Sequence, residues 1–186
     1  MNDRPERAVF LDRDGTIIAD VGYLTDVEQI RILPGVPQAL AALKRAGFLL
    51  VVVTNQSAVA RGWLTEERLA EVHEALQQQL VEAGGPPLDA FYHCPHLPEG
   101  TVAEYARECD CRKPAPGLLI RAAAQQGVDL QRSCMVGDSE RDVEAGRRAG
   151  CFTVLVGGGD CPAADATAAD MAGACDLILA RERPSP

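Results

Sequence analysis

Apolar and polar positions along the chain follow two alternating periods. Apolar runs at residues 8–11 and 48–53 have the length of buried strands, and the mainly apolar stretches 88–93, 134–137 and 151–156 read as three more strands. Between them, apolar residues recur three and four apart, as on one face of a helix. Val36, Leu40 and Leu43 form one such stripe, and Leu69, Val72, Leu76 and Leu80 a second. Leu118, Leu119, Ala122 and Ala123 form a third, and residues 140–149 read as a fourth helix. Gly47, Gly84-Gly85-Pro86-Pro87, Gly127 and Gly150 close these helices. Thr65 is placed to cap the second, with Glu66 and Glu67 in its first turn. Residues 20–33 read as a loop or small hairpin, 157–159 as a flexible turn and 163–174 as a weak helix. A last edge strand is predicted at 176–179, with a loose tail over 181–186. No repeat or linker divides the chain, so residues 1–186 are predicted to form one domain. Strands alternating with single helices predict an α/β fold: a doubly wound, mostly parallel, Rossmann-like sheet.

In such a sheet, ligands bind where the strands' carboxyl ends meet. Three predicted strands run into polar clusters: Asp12/Asp14, Thr54-Asn55-Gln56-Ser57 and Asp138. Arg112-Lys113 precedes a helix. On residues 9–16 alone, a strand followed by an Asx or glycine turn explains the pattern equally well. The convergence of all four clusters on one edge favours a site. Asp12, Asp14 and Asp138 supply hard oxygen ligands suited to Mg²⁺. The cation would relieve repulsion between carboxylates and admit a phosphate dianion. Asp12 then suits a nucleophile, Asp14 a general acid and base, and Thr54 and Lys113 stabilisers of phosphate oxygens. Taken singly, Lys113 reads more readily as a solvated lysine at a helix start than as a site residue. No Walker loop or Gly-x-Gly-x-x-Gly sequence is present, so nucleotide-dependent transfer is not suggested.

Composition bears on partners. The net charge is −9 and there is no Lys/Arg block, which argues against nucleic acid or an anionic membrane as partner. The first residues are polar, and no apolar run is long enough to span a bilayer, so a cytoplasmic location is expected; a monomer is the separate expectation for assembly. Seven cysteines in such a chain read as metal ligands or buried thiols. Cys94, His96, Cys109 and Cys111 match a closed tetrahedral Zn²⁺ site of three thiolates and one imidazole. Proline and glycine at Pro95, Pro98 and Gly100 place it in a loop over residues 94–111 that a metal would order. With four protein ligands and no acid among them, the site reads as structural. His93 would point away from Cys94 on an extended segment, and His73 reads as a surface residue. Cys134 and Cys151 read as core, while Cys161 and Cys175 carry no signal.

Asp12-x-Asp14-Gly15-Thr16, Thr54, Lys113 and Gly137-Asp138-x-x-x-Asp142 together resemble the four motifs of haloacid dehalogenase-superfamily phosphatases. The resemblance runs over nearly the whole chain. It implies strand order 5-4-1-2-3, the roles argued above, and Asp142 as a second acid of the metal loop that contributes, positions Lys113 or caps the loop. The cysteine-rich loop through Arg112-Lys113-Pro114-x-Pro116-Gly117 resembles the histidinol-phosphate and heptose-bisphosphate phosphatase subfamily. So do Arg13 and the stretch Thr54-Asn55-Gln56-Ser57 with Ala60-Arg61-Gly62. The long interval between His96 and Cys109 is similar to the heptose-bisphosphate branch. This implies removal of the 7-phosphate of a heptose 1,7-bisphosphate, a small phosphosugar, on the route to nucleotide-activated heptose for lipopolysaccharide and other surface glycans. Asp20-Val21-Gly22-Tyr23 falls where those enzymes contact the sugar. Ala58 stands where the family has glycine, leaving anomer preference open.

Only about forty residues separate Asp12 from Thr54, too few for a cap domain beside the helix and loop found there. Recognition then falls to the loops and to Arg112, whose guanidinium can bind a second phosphate or a carboxylate bidentately. Histidinol phosphate or another small phosphomonoester is the alternative substrate. A Zn²⁺-stapled phosphosugar-binding module without turnover is the alternative of another class.

Overall fold

The computed structural model describes residues 6–182. Six strands form one sheet: β1 (Arg7–Leu11), β2 (Phe48–Asn55), β3 (Ala90–Cys94), β4 (Cys134–Gly137), β5 (Phe152–Leu155) and β6 (Ala166–Thr167). Their order is β3-β2-β1-β4-β5-β6, and every pairing is parallel. This is the order the resemblance implied, with one short strand added at the edge. Five helices cover the two faces: α1 (Val36–Arg45), α2 (Glu66–Glu82), α3 (Gly117–Gln126), α4 (Glu140–Ala149) and α5 (Met171–Arg181).

Alternation along the central strands sorts side chains between two cores. Val9 and Leu11 of β1, with Leu50 and Val52 of β2, pack with residues of α1, α2 and α5. Ala8 and Phe10, with Val51 and Val53, pack with Leu118, Leu119 and Ala122 of α3 and Ala145 of α4. Sheet surfaces buried on both sides explain why β1 and β2 read as unbroken apolar runs. The helix starts follow local chemistry. Thr65 caps α2 through Oγ1, which accepts from Arg68 N at 3.1 Å, and the first turn carries Glu66 and Glu67. Gly127 and Gly150 end α3 and α4 in the left-handed conformation.

The carboxyl-terminal third differs from expectation. Residues 176–179 lie inside α5 rather than in a strand, and the sixth strand falls at Ala166–Thr167, within the stretch expected to be weakly helical. The cause is packing: Met171, Ala174, Cys175 and Ile178 recur at helical spacing and bury in the core that holds α1. Asp170 starts the helix by accepting from Gly173 N at 2.9 Å. Asp165 anchors the preceding strand by accepting from both N and Oγ1 of Thr153. Arg181, expected in a loose tail, ends α5 with its guanidinium over the Phe152 ring; residues 183–186 of that tail lie outside the described residues.

Candidate active site

Parallel pairing brings the ends of β1, β2 and β4 together. Asp12 follows β1 directly, and its amide donates to Val136 O at 2.9 Å, extending the ladder toward β4. Thr54 and Asn55 end β2, and Asp138 follows β4. At this edge lies a cavity of about 390 Å³. Its lining includes Asp12, Asp14, Asp20, Gly22, Tyr23, Thr54, Asn55, Gln56, Ser57, Arg112, Lys113 and Asp138, which the sequence singled out. Val21, from the same set, is exposed and does not line the cavity.

Lys113 sits at the floor. It is buried, and its ammonium donates to Asp12 Oδ1 at 2.8 Å, to Val53 O at 2.8 Å and to Asp142 Oδ1 at 2.6 Å. All three protons of the ammonium are thereby used. Burial pulls the Lys113 ammonium down, but Asp12 and Asp142 outweigh it and hold the net shift upward. Burial pushes the Asp12 carboxyl up to about 6, against the opposing pull of Lys113. Asp142 has a double task. Its Oδ1 pairs with Lys113, while its Oδ2 accepts from Ser139 N and Oγ at 3.1 and 2.6 Å and closes the capping box of α4. Asn55 locks the Lys113 backbone from the other side: its amide donates to Lys113 O and accepts from Lys113 N, both at 3.0 Å.

A second network holds Asp14. Arg13 is only 1% exposed, and its guanidinium donates to both carboxylate oxygens of Asp14 at 2.9–3.2 Å. Gln56 joins them, accepting from Arg13 Nη2 at 2.9 Å and donating to Asp14 Oδ2 at 2.9 Å and Thr54 Oγ1 at 2.8 Å. Because Thr54 Oγ1 accepts from that amide, its own proton is free to donate into the cavity. Behind Arg13 stands His73, expected at the surface but buried and stacked on Phe91 with ring centroids 4.7 Å apart. Polarity suggested exposure, whereas position 73 borders the apolar stripe of α2, three residues before Leu76.

Two groups of side chains could hold metals. Asp12, Asp138 and Asp142 place carboxylate oxygens within 4.8 Å of one another. Asp14 is not in that group, its carboxylate being held by Arg13 and Gln56. A Cβ on Gly15 (φ +79°) would lie 2.0 Å from Asp138 Oδ2, so only glycine lets Asp138 fold over this turn. The second group is Cys94, His96, Cys109 and Cys111. Its sulfurs are 3.2–3.5 Å apart, and His96 Nδ1 lies 3.4 and 3.7 Å from Cys111 and Cys94. Four ligands around Zn²⁺ at Zn–S of about 2.3 Å would be about 3.8 Å apart, a few tenths wider. Hydrogen bonding from Cys94 pulls the Cys111 thiol down to about 5, toward the thiolate that binds metal. His93 instead faces Glu66 at 3.6 Å, and Cys134 and Cys151 are buried in the core.

The sequence reading missed Arg61, Ser139 and Arg141 as lining residues and left Asp142 undecided. Arg141 lies three residues past Asp138, the only sequence signal that could have flagged it.

Carboxylates, an ammonium and a free hydroxyl proton on the ligand edge of a parallel sheet define a hydrolase that works on phosphate. A family model described as HAD-hydrolase-like matches residues 110–179. The D-glycero-beta-D-manno-heptose-1,7-bisphosphate 7-phosphatase of Yersinia pestis is 44% identical over 149 residues, 80% of this chain and 79% of that protein. The enzyme of the same name from Escherichia coli K12 is 45% identical over 138 residues, 74% of this chain and 72% of that protein. The crystal structure of D,D-heptose 1,7-bisphosphate phosphatase from B. bronchiseptica, complexed with magnesium and phosphate, superposes with a TM-score of 0.81. It is 33% identical, covering 94% of this chain and 99% of the other. The chain belongs to the haloacid dehalogenase-like hydrolases, in their phosphatase branch.

Burial and the Arg13 guanidinium drive His73 down from 6.5 to about 3. Between those values the unfolded chain binds the extra proton, so this contribution to stability is full above pH 6.5 and lost as pH falls. Asp12 has the opposite sign, its contribution present below pH 3.8 and lost as pH rises through about 6. Comparison with His73→Gln isolates the histidine. From pH 6 to 4.5, urea unfolding of the metal-free wild type should lose up to about 1.4 kcal/mol more per pH unit than the variant. Equal slopes would refute a neutral, buried His73.

Proposed function

We propose that the protein is a Mg²⁺-dependent phosphatase that removes the 7-phosphate of D-glycero-D-manno-heptose 1,7-bisphosphate, through an aspartyl-phosphate on Asp12. The observation that carries this reading is Asp12 itself: an oriented carboxylate on the floor of a cavity lined by Thr54, Arg112 and Lys113. The names of the similar enzymes from Yersinia pestis and Escherichia coli support the substrate.

Asp12, Asp138 and Asp142 fit Mg²⁺, being hard oxygen donors within 4.8 Å, with Asp138 folded toward the others over Gly15. Asp12 and Asp138 are the ligands we assign from this group, with Asp14 beside it as the third; Asp142 is committed to Lys113 and Ser139, and Asp14 would have to yield part of its bonding to Arg13 and Gln56. When bound, Mg²⁺ supplies positive charge for a phosphate dianion and lowers repulsion among the carboxylates. The Asp12 oxygen not bonded to Lys113 attacks phosphorus, and the sugar oxygen leaves with a proton from Asp14. Asp14 then takes a proton from water, which attacks phosphorus, releases inorganic phosphate and restores Asp12. Thr54 donates its hydroxyl proton to a phosphate oxygen, and Lys113 contributes charge. Asp20, Gly22, Tyr23, Asn55, Gln56, Ser57 and Arg112 are the residues we assign to the sugar and its second phosphate, with Val21 only linking Asp20 and Gly22 from outside the cavity lining. Asn55 and Gln56 do so at second hand, because their amides are taken up by Lys113, Arg13, Asp14 and Thr54.

We further assign Zn²⁺ to Cys94, His96, Cys109 and Cys111 as a structural staple, and residues 1–186 to one cap-free domain. Apart from the cavity rim, the exposed large apolar residues Val81, Ile120 and Leu177 sit singly on three helices, which supports a monomer. All seven cysteines are unpaired, which supports a reducing compartment such as the cytoplasm. No helix among the described residues is long and apolar enough to cross a membrane.

Asp12→Asn is expected to lower phosphate release by on the order of a thousandfold or more with the fold retained. Near-wild-type turnover in that variant would exclude the aspartyl-phosphate route. For the substrate, kcat/KM measured in parallel on heptose 1,7-bisphosphate, as both anomers, and on histidinol phosphate should favour the heptose. A preference for histidinol phosphate would overturn the assignment, and absence of Mg²⁺-dependent turnover on any phosphomonoester would leave a binding module. Elemental analysis of protein purified without added metal should find about one Zn²⁺ per chain, and chelation should lower the melting temperature. A metal-free chain with an unchanged melt would refute the structural site.

A further inference from the structure

Arg61 lies on the loop that follows β2 and lines the same cavity as Asp12. Its guanidinium carbon stands 5.6 Å from the centre of the Tyr23 ring and 5.3 Å from that of Trp63. The two rings meet edge to face at 4.6 Å. Such stacking holds a guanidinium over π-faces without consuming its hydrogen-bond donors. One of those donors, Nε, is buried and has no hydrogen-bond partner among the described residues. A buried charged donor without an acceptor is costly, and the cost falls when a ligand supplies one.

The backbone beneath Arg61 is fixed. Its amide donates to Ser57 O at 3.1 Å, and its carbonyl accepts from Thr101 Oγ1 at 3.0 Å. Thr101 N and Val102 N both donate to Ala60 O, at 2.8 and 2.9 Å, so the cysteine-rich loop braces this segment. Arg13 is taken by Asp14 and Lys113 by Asp12 and Asp142, while Arg112 gives one donor, Nη1, to His96 O at 3.2 Å and keeps the others. Among the cations that line the cavity, Arg61 is the one with a buried donor that has no acceptor among the described residues.

We infer that Arg61, held by Tyr23 and Trp63, reads a second anionic group on the substrate, so that the site selects a sugar bisphosphate over the corresponding monophosphate. This rests on the phosphatase reading above and deepens it. The phosphate over Asp12 is the one cleaved; the distal phosphate accepts from Arg61 at the rim. Trp63, the chain's single tryptophan and 55% exposed, lies against that guanidinium and reports its occupancy.

Two measurements test it. In steady-state assays, Arg61→Gln should lose about ten- to a hundredfold more kcat/KM on heptose 1,7-bisphosphate than on heptose 7-phosphate, with the loss in KM. Arg61→Lys should recover part of it, since it keeps the charge but not the fork. Equal losses on both substrates overturn the inference, whereas failure of the wild type on both heptose phosphates overturns the phosphatase reading and with it this one. The second measurement leaves Arg61 in place. In Asp12→Asn, whose slow turnover permits titration, the bisphosphate should change Trp63 emission and the 7-phosphate should change it much less. Identical emission changes for the two ligands would also overturn the role of Arg61.

Discussion

A buried ammonium governs this structure. Lys113 is removed from water, and its charge is tolerable only because Asp12, Asp142 and the Val53 carbonyl surround it. Breaking one buried ionic partner costs about 3–5 kcal/mol in comparable sites, because the remaining charge is left uncompensated. Those partners come from three elements: the end of β1, the strand β2 and the first turn of α4. The ammonium therefore fixes where the strands' ends and α4 meet. The glycine before Asp138 belongs to the same constraint. A Cβ on Gly137 would lie 2.3 Å from Asp142, so a side chain there would drive Asp142 off the lysine.

Asp12 and Asp14 stand two residues apart yet are held by separate devices. Lys113 takes Asp12, while Arg13, Gln56 and the buried His73 behind them form the setting of Asp14. Two carboxylates this close repel each other, and each has its own cation to offset that repulsion. Thr54 links the halves, being hydrogen-bonded to Gln56 and adjacent in sequence to Val53, whose carbonyl receives Lys113.

Much of this was legible in the sequence because the chemistry sits at element boundaries. An apolar run that stops at a carboxylate locates Asp12 and Asp138; three thiols and an imidazole at close spacing locate the cysteine-rich site. What the pattern concealed depends on chain reversal and distant packing. The Arg13–Asp14 fork joins neighbours that an extended strand would point apart, and it forms because the chain turns at Gly15. His73 meets Arg13 sixty positions away and Phe91 on another strand, so only the tertiary fold reveals that it is buried. Arg141 looks like any solvated arginine until the cavity is drawn around it, and Arg61, though part of the Ala60-Arg61-Gly62 resemblance, had no role in the sequence. The error at residues 176–179 was one of period: a short apolar run suits strand and helix alike, and packing against α1 decided for the helix.

The charge balance of the cavity explains why residues alone do not complete it. Asp12, Asp14, Asp20, Asp138 and Asp142 face Arg61, Arg112, Lys113 and Arg141, five carboxylates against four cations. Arg13 adds its charge from below, but Asp14 already absorbs it. The nearest cation to the nucleophile, Lys113, has all its protons committed to protein acceptors. A phosphate dianion approaching Asp12 would therefore meet the Asp12 and Asp138 carboxylates, with the Thr54 hydroxyl as the side-chain donor beside them. Asp12 and Asp138 would hold a divalent cation, whose positive charge would offset the local excess of carboxylates. Distal cations at the rim cannot substitute, because screening and distance weaken their effect at the reacting phosphorus. On the reading proposed above, they serve the other end of an elongated, doubly charged substrate, and the two ends of the cavity divide the work between chemistry and selection.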